Sequence, residues 1–135
     1  MLASFGPQTG AGIVLSGHSD VVPVAGQDWH TDPFALTAKD GKLLGRGSSD
    51  MKGFLAACLS AAERADKTRL TRPLHLAFSY DEEVGCLGVR DLLERLQAEN
   101  FQAEGCIIGE PTAQQVGFGH KGKICLLYTS DAADE

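Results

Sequence analysis

Three groups of acidic or imidazole side chains each follow a short apolar run. His18-Ser19-Asp20 follows Gly12–Gly17, Asp81-Glu82-Glu83 follows Leu74–Tyr80, and Glu110 follows Gly105–Gly109. A further carboxylate, Asp50, opens an alanine-rich stretch of helical character. Short buried runs alternating with helical stretches predict an α/β fold with a mostly parallel sheet. Ligands of such sheets bind beyond the carboxyl ends of the strands. All of these groups would then meet in one crevice. Several carboxylates and an imidazole share a cleft only when positive charge lies between them. The pattern points to a metal site, and the number of carboxylates to two divalent ions.

Taken singly, each residue has a plainer reading. Asp50 can cap the helix that follows, because an aspartate there accepts backbone N–H bonds. Glu82 and Glu83 can be solvated loop acids, or can favour a helix start through the dipole. Glu110, before Pro111, can be a turn residue, and a histidine after a strand is most often a hydrogen-bonded structural residue. Taken together they reverse the balance, since unrelated surface acids have no reason to share one edge of one sheet.

The elements that must position these groups can be read from the apolar spacing. Ile13-Val14-Leu15 reads as a buried strand, and Leu36-Thr37-Ala38 and Leu43-Leu44 flank Asp40-Gly41 as a hairpin. Met51, Phe54, Leu55, Cys58, Leu59 and Ala62 have helical spacing. Leu74–Tyr80 reads as a central strand, Val89, Leu92, Leu93 and Leu96 as an amphipathic helix, and Cys106-Ile107-Ile108 as a third buried strand. Gly117, Gly119 and Gly122 mark a flexible connection.

Composition narrows the class. The chain has 135 residues, enough for one domain or a piece of a larger one, and 43% of them are hydrophobic, enough for a core. A net charge of −6 argues against nucleic acid as a partner. No apolar stretch approaches the ~20 residues of a membrane span. The first residues lack the basic flank and apolar run of a signal peptide. Cys58, Cys86, Cys106 and Cys125 form no Cys-x-x-Cys pair. All four are expected to be reduced and to pack as small hydrophobes in a cytoplasmic protein.

Four segments in order carry a family resemblance. They are His18-Ser19-Asp20-Val21-Val22-Pro23, Gly45-Arg46-Gly47-Ser48-Ser49-Asp50-Met51-Lys52-Gly53, Asp81-Glu82-Glu83-Val84-Gly85 and Gly109-Glu110-Pro111-Thr112. The chain resembles the dinuclear zinc amidohydrolases, among them acetylornithine deacetylase, succinyl-diaminopimelate desuccinylase, aminoacylases and glutamate carboxypeptidases. Within that family, Tyr80–Gly88 is most similar to acetylornithine deacetylase. The resemblance implies a three-layer fold with helices on both faces of the sheet, and two divalent ions, zinc with cobalt as an alternative. It implies that His18 and Glu110 bind the first metal, Glu83 the second, and Asp50 both. Asp20 would accept from the other ring nitrogen of His18, and Glu82 would be the general base. A cis peptide bond would follow Asp50. The substrate would be a small N-acylated amino acid, N-acetylornithine first, with desuccinylase, aminoacylase or a non-catalytic remnant as alternatives.

The same resemblance marks what the chain lacks. Relatives take a further histidine for the second metal from a later segment, and none of His30, His75 or His120 matches that motif. Residues 1–118 then correspond to part of a catalytic metal-binding domain. Residues 119–124 open into a lid domain through which the complete protein would form a homodimer. Residues 125–135 do not resemble the family's lid strand and read as a non-native tail. The piece alone is expected to be inactive.

Overall fold

The computed structural model describes residues 1–117 and Gly119. The remaining residues of the expected lid opening, the expected tail, His120 and Cys125 lie outside the described residues. Among those described, four strands form one mixed sheet in the order β1-β5-β2-β6. They are β1 (Leu2–Phe5), β2 (Gly12–His18), β5 (Leu74–Ser79) and β6 (Ala103–Ile108). β2 pairs in parallel with both β5 and β6, and β1 closes one edge antiparallel to β5. A separate hairpin joins β3 (Thr37–Lys39) to β4 (Lys42–Leu44), and both Asp40 and Gly41 at its turn have positive φ. That is the backbone which the Asp-Gly pair favours in a two-residue hairpin.

The sheet is built around β2. Helix α1 (Gly53–Arg64) carries the chain from β2 to β5, and helix α2 (Val89–Ala98) from β5 across to β6 on the other side of β2. Leu74, Leu76 and Phe78 alternate along β5 and pack with Leu15 and Phe5 against Cys58, Ala62 and Phe54 of α1. His75 points to the opposite face, where the ring of Phe101, just after α2, meets it edge-on at 4.7 Å. The two helices thus serve opposite faces, as the layered reading requires. Val14, Met51, Leu55, Cys58, Leu76 and Ala77 are buried hydrophobic residues of the core. Each large one contributes about 1.5–3 kcal/mol through removal from water.

The structure departs from the expectations in three places. β1 was not foreseen; it is short, and its partner β5 lies some seventy residues away. Of the described cysteines only Cys58 is buried, while Cys86 and Cys106 are exposed, although all three are free thiols. Strand β6 is likewise exposed throughout, with Ile107 and Ile108 more than half accessible, so it is not the buried strand that its apolar run suggests. Among the described residues no helix is long and apolar enough to cross a membrane.

Candidate metal centre

Parallel pairing puts the carboxyl ends of β2, β5 and β6 on one edge; one crossover runs from β2 outward to β5, and the next returns from β5 past β2 to β6. A crevice forms at such a switch point. His18 is the last residue of β2 and is only 2% exposed. The segment Asp81–Glu83 follows β5, and Glu110 follows β6 by two residues. Backbone bonds extend the β2–β5 junction past the strands: the Ser19 N–H and hydroxyl both donate to the Ser79 carbonyl, at 3.0 and 3.1 Å.

Asp50 reaches the same place from the segment Ser48–Lys52. Its backbone leaves helical geometry (φ −119°, ψ 98°), and the bond to Met51 is cis. No side chain caps this segment or α1. Asp50 instead directs Oδ1 to His18 Nε2 at 3.1 Å. The capping reading of Asp50 is therefore not what the structure adopts.

The potential donors fall into two groups that share His18. Ligand atoms of His18, Asp50 and Glu110 lie within 4.8 Å of one another, and so do those of His18, Glu82 and Glu83. Glu82 Oε2 lies 3.9 Å from His18 Nε2. The other ring nitrogen, Nδ1, donates to the Asp20 backbone carbonyl at 3.1 Å. The Asp20 carboxylate was expected to take that bond. Its Oδ1 is close, at 3.3 Å, but is buried without an aligned donor. Its Oδ2 accepts the Glu83 backbone N–H at 3.0 Å. Asp20 thus ties the loop after β2 to the loop after β5. His30 is exposed on its loop, and His75 accepts or donates at Ser4 Oγ, 2.8 Å away, so neither joins the cluster.

The electrostatics suit a cation. Burial raises the Glu83 pKa, and so do the charges of Asp50 and Glu82; burial and Asp50 likewise raise that of Glu110. Burial would lower the His18 pKa, but the bonds to Asp50 and the Asp20 carbonyl outweigh it, and the net direction is upward. Among the described residues no lysine or arginine pairs with any of these carboxylates. Crowded carboxylates without a basic partner, beside an imidazole whose Nε2 faces them, fit divalent ions that favour oxygen and nitrogen donors.

Several supporting residues were not read from the sequence. Met51 is fully buried, and its sulfur accepts the His18 backbone N–H at 3.3 Å. Gly17 leaves room for it, since a Cβ there would lie 2.7 Å from Met51 Cε. Gly109 similarly leaves room for the Phe54 ring, which a Cβ would meet at 2.1 Å, so Glu110 follows a residue pressed onto α1. These pairs join residues far apart in the chain, and no local pattern announces them.

The model of Peptidase family M20/M25/M40 matches residues 14–124, which contain every one of these donors. The chain belongs to that family. Acetylornithine deacetylase of Pasteurella multocida (strain Pm70) is 43% identical over 124 residues, 92% of this chain and 31% of that protein. Among solved structures, human carnosine dipeptidase 1 matches with a TM-score of 0.68 at 34% identity, over 79% of this chain and 24% of that one. An M20 family metallo-carboxypeptidase from Sulfolobus solfataricus matches with a TM-score of 0.69 at 28% identity, over 80% and 25%. The chain thus spans 31% or less of the length of these relatives.

Proposed function

We propose that this chain is part of a metal-dependent amide hydrolase, and that the complete protein removes the acetyl group from N-acetylornithine. The observation that carries the reading is the convergence of His18, Asp50, Glu82, Glu83 and Glu110 at one sheet edge. The similarity to an acetylornithine deacetylase supports the substrate. Asp50, His18 and Glu110 would hold one divalent ion. Asp50 and Glu83 would hold the second, with a further ligand from elsewhere in the complete protein. Such ions, zinc or cobalt, supply a polarised carbonyl and an acidified water. Asp20 would fix the His18 ring through Nδ1, leaving Nε2 free to bind.

Glu82 is the group left for proton transfer. It would take a proton from the attacking water and return it to the departing amine, a role worth roughly 10²–10⁴-fold in rate. Glu82→Ala in the complete protein should lose turnover by at least that factor and keep its metal content. Loss of metal together with activity would mean that Glu82 and Glu83 have exchanged roles.

A second reading is favoured by the solved relatives, a dipeptidase and a carboxypeptidase. Assays of the metal-loaded complete protein on N-acetylornithine, N-succinyl-diaminopimelate, other N-acyl amino acids and dipeptides separate the readings. Cleavage of dipeptides without N-acetylornithine would overturn the substrate. No turnover on any of them, with metal bound, would favour the non-catalytic remnant.

A further inference from the structure

We propose that Cys86 is a positioning residue that holds the Glu82 carboxylate in the orientation needed for proton transfer, a reading that rests on Glu82 being the general base. The Cys86 thiol donates to Glu82 Oε1 at 3.5 Å. The other oxygen, Oε2, faces the cleft beside His18 Nε2. The two oxygens therefore have separate tasks, one anchored by sulfur and one presented to the reaction. The last torsion of a glutamate is broad, so an unanchored carboxylate swings and exchanges its oxygens. Among the described residues, Cys86 is the one side chain that donates to Glu82.

The backbone of the same turn serves the same residue. The Gly85 and Cys86 N–H groups both donate to the Glu82 carbonyl, at 3.0 and 2.9 Å. Cys86 stands in the left-handed region at φ 56°. Glycine and asparagine suit that region, and a cysteine there is disfavoured. Nor does the cysteine fill the core, because it is exposed. A side chain that neither suits the backbone nor packs the interior, yet touches the base, has its use at the base.

The test is made on the metal-loaded complete protein with N-acetylornithine. Cys86→Ala should lower kcat about three- to tenfold, the size of one hydrogen bond from a weak thiol donor. KM, bound metal and Tm should stay unchanged. Cys86→Ser, which keeps a donor, should recover most of the loss. In a Glu82→Gln background Cys86→Ala should change nothing further. The proposal is overturned by wild-type kcat in Cys86→Ala, by equal losses in the alanine and serine variants, by a parallel fall in metal or Tm, or by additive losses in the double variant. Wild-type turnover in Glu82→Gln alone would instead remove the base, and the present proposal with it.

Discussion

At the scale of single residues, the fully buried Met51 connects the core to the metal centre. Backbone N–H groups alternate sides along a strand, and those of Ile13 and Ser19 point to the β5 side. That of His18 must then point to the β6 side, but the β2–β6 ladder ends at Ser16 and Ile108. The Met51 sulfur takes the place of the missing strand acceptor. Leucine would fill the same volume and accept nothing. Volume-conserving swaps usually cost under ~1.5 kcal/mol, whereas a buried donor left unpaired costs about 1–3 kcal/mol. Met51→Leu should therefore destabilise by roughly 1–3 kcal/mol in denaturant unfolding. A cost near zero would show that the sulfur contact contributes nothing.

At the scale of elements, the centre depends on loops held in register. Asp20 accepts the Glu83 N–H while its own carbonyl accepts from His18. Asp20→Ala keeps that carbonyl but removes the carboxylate, so it should release the loop that carries Glu83 and lower metal affinity by about 10–100-fold, the range for residues that orient ligands. Isothermal titration would measure it; unchanged affinity would show that the loops hold themselves.

The sequence disclosed these elements unevenly. β2, β5, α1, α2 and the β3–β4 hairpin are local patterns, and periodicity or turn chemistry announces each. Placing His18, Asp81–Glu83 and Glu110 on one edge needed only the parallel rule. The partner β1, the Met51 contact and the Asp20–Glu83 bond join distant residues, so nothing local encodes them. The exposure of Cys86, Cys106 and β6 was illegible for a related reason: an apolar run shows what can be buried, not what covers it. α2 is amphipathic in the same sense, yet none of its residues is buried.

At the scale of the whole molecule, the site sets a charge problem that pH and metal resolve in opposite directions. The folded pKa values of Glu83 and Glu110 are raised, first by burial and then by neighbouring carboxylates. A raised pKa contributes stability below the unfolded value, about 4.3 for glutamate, and that stability is lost as pH rises through the folded value. His18, also raised, acts in the same sense above its unfolded value of about 6.5. Two groups act oppositely. Asp20 is lowered, and its contribution is lost only as pH falls through its depressed folded value, while His75, lowered by burial, disfavours acid below about 6.5. Comparison with Glu110→Gln isolates the carboxylate, because the opposing groups are common to both proteins. Without metal, Glu110→Gln should be more stable than the wild type at pH 8, and the gain should shrink towards pH 4. With saturating zinc the order should reverse, because a ligand that binds only the folded state stabilises it in proportion to its affinity. Thermal unfolding at both pH values, with chelator and with zinc, checks the signs. A Glu110→Gln variant less stable than wild type at pH 8 in chelator would show that the carboxylates do not repel, and would remove the electrostatic argument for a cation between them.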